Sequence, residues 1–329
     1  MTGAEGSAGE TGGPLGQRHA GIGILLILVT AVVSGVSTFV NFYAAHGTNT
    51  DAFVTVRNLM AAGLLIPVAL VAGRLTSSPL RPRDWGRLAV IGLIGGAIPF
   101  LLFFRGIELA TASGGAATAT FGYRTLFLMA SVFGIVVLRE KFHARIALAA
   151  ALLLAGNLLL LSVRSAIWSD GTGFVLVATV LWAAEYTLSK HTLRALPSTT
   201  VALGRMGFGA IFLVGYITAT AQFSGVSSLS GAQWQWALVS ALLLGAFVTS
   251  WYAGLKRVEL GVATSVLVLG FPITTALAVG FGASTVTLLQ AFGAAVVVAG
   301  AVLAVGAIYL RAAGALIVRA ISPLPRPVA

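Results

Sequence analysis

Ten runs of about 20 apolar residues constrain this 329-residue chain more than any other feature. They lie at 21–44, 52–73, 86–104, 112–138, 144–163, 172–191, 199–221, 232–253, 262–282 and 286–309. A helix of about 20 such residues is the length that crosses the hydrocarbon core of a bilayer. With 58% of its residues hydrophobic and only 9% charged, the chain lacks the polar surface of a soluble domain. The expected fold class is an all-α polytopic membrane protein with ten transmembrane helices.

The basic residues orient those spans. If the N-terminus is cytoplasmic, the inner segments hold Arg18, then Arg74, Arg81, Arg83 and Arg87, then Arg139, Lys141 and Arg145. Lys190, Arg194, Lys256, Arg257, Arg311, Arg319 and Arg326 complete the inner set. Only Arg105 and Arg164 fall outside, while Arg57, Arg124 and Arg205 lie within spans. This is the positive-inside asymmetry, and it predicts a multi-pass protein of the cell membrane with both termini cytoplasmic. The net charge of +11 therefore reads as a topology signal rather than a nucleic-acid surface, because no basic domain or aromatic-interleaved basic patch gathers it. There is no cysteine, and the four histidines form no pair at ligand spacing, so neither a metal nor another cofactor is expected.

An internal repeat appears at a constant offset of 148: Arg57 maps onto Arg205, Gly106 onto Gly254, Gly122 onto Gly270, and Phe133–Gly134 onto Phe281–Gly282. Five spans per repeat is an odd number, so the two five-helix halves are inverted in the bilayer, a plan with its binding site near the midplane between halves. The predicted organisation is a disordered cytoplasmic tail at 1–20, a first repeat at 21–163, an external linker at 164–171, a second repeat at 172–310 and a cytoplasmic tail at 311–329. The run from Gly21 is longer than a signal-peptide core and reads as an anchor.

Several stretches carry a resemblance. In the first half these are VTVRNLMAAGLL, FFRGIELATAS and the Leu-Arg-Glu-Lys-Phe run at 138–142; in the second, LWAAEYTLSKH, LGRMGFGAIFL, YAGLKRVELGVATS and GFPITTALAVG. Their order and spacing over residues 21–310 resemble the drug/metabolite transporter superfamily, and within it the EamA-type exporters built of two five-helix repeats. The resemblance implies export of amino acids, related metabolites or drug-like compounds, with proton exchange or facilitated movement. Two departures stand out: Tyr123–Arg124 occupies the place where the second half has Pro272, and the acidic–basic run closing span 4 has no counterpart after span 9.

Glu185 is the candidate around which a site would form, since a charge at the centre of a spanning helix costs roughly 2.5–3.5 kcal/mol and normally faces a partner or a wet cavity. A polar stripe in span 1, Ser34, Ser37, Thr38 and Asn41, maps through the repeat onto Trp182, Glu185, Tyr186 and Ser189. Both faces read as walls of one cavity or as polar glue between helices. For Arg124, beside Tyr123, three readings stand: it pairs with Glu185, binds an anionic substrate group, or marks a misplaced span boundary. Glu185 is also the proton-coupling candidate. Arg57 and Arg205 read as scaffold, snorkelling to the interface or tying down a helix end. Trp251 and Tyr252 read as an interfacial belt. Glycine pairs such as Gly95–Gly96, with Gly293 and Gly300, mark close helix contacts.

The function these features predict is a secondary transporter moving a small metabolite, an amino acid, organic anion or drug-like compound, by alternating access. Its partners are that solute and the lipid bilayer, with protons and a second copy of the chain as candidates and no nucleic acid. The alternatives are an intramembrane lipid-modifying enzyme using Glu185 as base, against which stands the lack of a His–carboxylate or Ser–His arrangement, and a non-transporting membrane subunit.

Overall fold

The computed structural model describes residues 14–44, 49–71, 80–141, 143–161 and 168–321. These residues form helices joined by turns, with no strand among them. The first half comprises α1 (Pro14–Ala44), α2 (Thr50–Val71), α3 (Pro82–Ile91), a π-helical segment (Gly92–Ala97), α4 (Ile98–Ala112), α5 (Ala116–Arg124), α6 (Leu126–Val136) and α7 (Ala144–Leu160). The second comprises α8 (Asp170–Thr192), α9 (Ser198–Ala219), the short α10 (Phe223–Ser227), α11 (Gly231–Leu255), α12 (Leu260–Leu267), α13 (Gly270–Gly280) and α14 (Leu288–Ile321).

Eight helical stretches among the described residues are long and apolar enough to cross a membrane. Helix α7 occupies the place expected for span 5 but has 17 residues, and α2 occupies the place of span 2. Large apolar side chains such as Ile66, Leu148, Ile211, Leu242 and Phe292 face outwards. That is the surface a protein presents to lipid rather than to water.

Helix ends depart from the hydropathy boundaries in instructive ways. Helix α1 starts at Pro14, inside the stretch expected to be a disordered tail, since a helix can run past the apolar window that marks only its lipid-facing length. At the other terminus the expected tail from 311 is helical as far as Ile321, after a break at Gly306, whose φ of 70° a residue with a Cβ rarely adopts. The fourth and ninth stretches are each broken in two. In the second half Pro272 sits in the first turn of α13, where its missing N–H removes the bond that would join α12 to α13. In the first half Thr125 does the same work by donating its hydroxyl to the Gly122 carbonyl at 2.6 Å.

Packing follows the repeat. Helix α1 packs on α11, and their counterparts α8 and α4 pack on each other; α2 packs on α11, and its counterpart α9 packs on the π segment. Such reciprocity is what a two-fold relation between the halves produces. Helices α7 and α14 seal one side by backbone approach, where a Cβ on Gly293 would stand 2.8 Å from the Gly156 carbonyl oxygen. Helices α4 and α8 meet as closely, since a Cβ on Gly171 would lie 2.3 Å from the Gly106 carbonyl oxygen.

Candidate functional site

The site grows from a defect in one helix. Pro99 has no N–H, so the Gly95 carbonyl one turn earlier loses its helical donor. Gly92, Gly95 and Gly96 allow the backbone to relax into a π turn there, and such turns expose carbonyls to neighbouring elements. Two side chains from the second half satisfy Gly95: the Trp182 indole donates to its oxygen at 3.2 Å and Arg205 donates through Nη2 at 3.0 Å. Asn58 of α2 donates to the Gly96 carbonyl at 2.8 Å.

Glu185 stands against this bare backbone, fully buried. A Cβ on Gly95 would lie 2.4 Å from the Glu185 Cγ, so only glycine leaves room for the carboxylate. Its Oε1 accepts hydrogen bonds from Ser189 of the same helix and Tyr252 of α11, each at 2.5 Å. Its Oε2 faces Arg205 Nη1 at 3.9 Å, and neither of those two atoms has a hydrogen-bond partner among the described residues. The carboxylate is thus held from one side by two hydroxyls and balanced across a gap by a guanidinium. A buried pair of this kind contributes little net stability, yet removing one member strands the other.

Aromatic rings close the surroundings. Trp182 packs edge-on against Phe100 at 5.3 Å and lies 5.5 Å from both Phe103 and Tyr123. On the opposite flank Tyr186 lies 4.5 Å from Trp251. Arg57 is caged by Phe100, Phe104 and Phe53, with its guanidinium carbon 4.7, 5.3 and 5.9 Å from the ring centroids, and donates to the neighbouring Asn58 amide oxygen.

The sequence candidates divide accordingly. Glu185, Ser189, Trp182, Tyr186 and Tyr123 come together. Arg124 does not join them: it donates to Asn157 of α7 at 3.2 Å and lies over the Phe271 ring at 4.3 Å. The structure therefore gives Glu185 a different cation, Arg205. In the span 1 stripe Asn41 accepts from Ser240 of α11 at 2.5 Å, and Thr38, exposed, donates back to the Ser34 carbonyl. Neither snorkelling nor a belt describes the remaining residues. Arg57 and Arg205 are each 2% exposed: Arg205 bonds the Gly95 carbonyl within the π segment, and Arg57 lies among phenyl rings. Trp251 and Tyr252 are fully buried, Tyr252 because Glu185 needs a donor there. Pro272 lies in the first turn of α13, next to the break from α12.

A second polar network closes the far end of α8. The Glu140 carboxylate accepts from the backbone N–H groups of Leu260 at 2.7 Å and Gly261 at 3.4 Å, capping α12 from the other half. Lys190 donates to the carbonyls of Leu255 and Val258 at 2.7 and 2.6 Å. This accounts for Glu140 of the Leu-Arg-Glu-Lys-Phe run, of which Phe142 lies outside the described residues. Burial raises the Glu140 pKa above the usual carboxylate range, against the two amide hydrogen bonds and the Lys190 charge that lower it.

Comparison with known proteins accords with this two-part construction. Residues 21–162 and 170–306 both match the model of the EamA-like transporter family. A search of curated protein sequences finds no match. One solved crystal structure of a protein shares 20% sequence identity over 86% of this chain and 95% of its own, with a TM-score of 0.67. At that identity the likeness is one of fold.

Proposed function

The chain belongs to the EamA-like transporter family, and on that premise we propose that it is a secondary transporter moving a small metabolite across the cell membrane by alternating access between two inverted halves. Ten spans, with both termini cytoplasmic, are the topology this reading uses. The Lys and Arg distribution supports it, and so does the reciprocal packing of the halves. The resemblance implies export as the direction. The observation that carries the reading is the Glu185–Arg205 pair, fully buried between elements of both repeats, with its facing oxygen and nitrogen unbonded across 3.9 Å.

In this mechanism Ser189 and Tyr252 hold one carboxylate oxygen while the other is the exchangeable position. A proton, or a polar group of the solute, takes the place of Arg205 at Oε2 when the halves rock. Intramembrane ionisable groups that keep such a free valence are the usual seats of coupling. The π segment supplies the hinge, because Trp182, Arg205 and Asn58 hold its carbonyls by side chains that a small rotation can release. Arg124, engaged by Asn157 and Phe271, is assigned to scaffold rather than to an anionic substrate.

Counterflow of pooled labelled metabolites into proteoliposomes tests this, comparing wild type with Glu185→Gln at equal folded amounts. Flux in the wild type that disappears in the variant is the expected result. Flux that persists undiminished in Glu185→Gln removes the carboxylate from the transport cycle.

A further inference from the structure

A separate cavity of about 740 Å3 opens where α8 begins, some 16 residues along that helix from Lys190. It lies between α2, α4, α8 and α9, with Asp51, Arg105, Glu108 and Tyr216 among its lining residues. The Trp182 cluster is on the other side of α4: Phe100 and Phe103 face Trp182, while Ile98, Leu101 and Leu102 face the cavity. Its volume falls within the roughly 300–1,000 Å3 of sites that hold small organic ligands.

The charges of the lining are unequal. Arg105 is already bonded to Glu108 at 3.0 Å, one helical turn along α4, so its positive charge is answered. Asp51, half-buried at the start of α2, accepts the Tyr216 hydroxyl on Oδ2 at 2.9 Å and has no cation within ion-pair distance among the described residues. Among the described residues of the lining, two carboxylates against one guanidinium leave one negative charge in excess. An anion would have to displace Glu108 from Arg105 while approaching Asp51. An ammonium group has only to join Asp51, and Ile98, Leu101, Leu102 and Phe174 give apolar wall for the body that carries it, with the neutral polar Asn49, Thr50 and Gln222 completing the lining.

We infer that this cavity is a binding site for an organic ammonium compound, its amine on Asp51 and its apolar body on the α4 and α8 wall. The ammonium belongs to a free solute or to a lipid headgroup. The site is distinct from the Glu185 cluster, and binding to it is measurable without any transport.

Equilibrium dialysis of the purified protein in dodecyl maltoside micelles, which carry no ammonium group, tests it with three matched probes: tryptamine, the neutral tryptophol and the anionic indole-3-propionate. Tryptamine should bind most tightly. Asp51→Asn, which keeps an acceptor for Tyr216, should weaken tryptamine about tenfold, equivalent to ~1.4 kcal/mol. Arg105→Gln should strengthen it about threefold by removing a like charge, an effect that loss of folding cannot imitate. Competition by added phosphatidylethanolamine assigns the ammonium to lipid; its absence assigns it to a free solute. Equal affinity for the three probes, tighter binding of indole-3-propionate, or tryptamine binding unmoved by both substitutions overturns the inference. Bound tryptamine without flux would leave this site standing and count against the transport reading, whereas flux without tryptamine binding would do the reverse.

Discussion

Tyr252 donates its hydroxyl to Glu185 at 2.5 Å across 67 positions of sequence, and the bond ties α11 to α8 at the depth where Glu185 also faces Arg205. A carboxylate in an apolar bundle is tolerable only when its neighbours answer its charge and its lone pairs. Here the answer is divided: hydroxyls take Oε1 and a guanidinium stands off Oε2. Anything that alters one side leaves the other exposed in a dry interior.

The pair should therefore respond non-additively to substitution. Glu185→Gln or Arg205→Gln alone is expected to lower stability by about 3–5 kcal/mol, because each strands a buried partner. The double variant should be less destabilised than the sum of the two singles. Thermal unfolding of all four proteins in one detergent gives the cycle; additive losses would mean that the 3.9 Å separation carries no coupling.

Gly95 is expected to be irreplaceable while a glycine in open space is not. A methyl at Gly95 would collide with the Glu185 Cγ at 2.4 Å, whereas one at Gly207 of α9 meets nothing within 4 Å. Gly95→Ala should cost about 1–3 kcal/mol by overpacking and should abolish flux. Gly207→Ala should be neutral or stabilising by up to about 1 kcal/mol, the helix-propensity difference. Comparable melting temperatures for the two variants would contradict the packing around the carboxylate.

Much of this was legible in the chain. Apolar runs of about 20 residues announce helices because a helix satisfies its whole backbone within one continuous segment, and Glu185 stands out as a carboxylate inside one of them. Its partner was not legible. Arg124 and Arg205 are both arginines within spans, and only the path of α9 beside the π segment decides between them. Tyr252 resembles an interfacial aromatic by its nearness to Lys256, yet its hydroxyl points inwards to a buried acceptor. The π segment left a trace that composition alone could not interpret: two adjacent glycines with a proline three positions later, Gly95-Gly96-Ala97-Ile98-Pro99. Span 1 left two readings open for a physical reason, because serine, threonine and asparagine suit a wet cavity and a hydrogen-bonded helix contact equally well.

Arg124 should behave as scaffold. Its guanidinium bonds Asn157 and lies 4.3 Å from the Phe271 centroid, a cation–π contact worth about 2 kcal/mol when desolvated. Arg124→Gln and Phe271→Leu should each lower the melting temperature, with the double variant losing less than their sum. Relative uptake of matched anionic and neutral solutes should be unchanged in Arg124→Gln. A selective loss of the anionic solute would return Arg124 to the binding site.

Glu140 should give the fold a pH dependence of its own. Its folded-state pKa is raised, chiefly by burial, despite the Leu260 and Gly261 amides. A carboxyl whose pKa is higher folded than unfolded holds its proton more tightly in the fold. Its stabilising contribution is therefore complete below the unfolded pKa and is lost as pH rises through the folded one. Glutamine imitates the protonated acid at every pH. Wild type should therefore match Glu140→Gln most closely near the acidic end of a series from about pH 4 to about pH 7.5, and lose stability relative to it towards neutrality. Melting temperatures of the two proteins across that series measure the gap. A gap that stays flat, or that opens towards acid, would mean that the two amide bonds and Lys190 outweigh burial, so that the ionised carboxylate is the form the α12 cap favours.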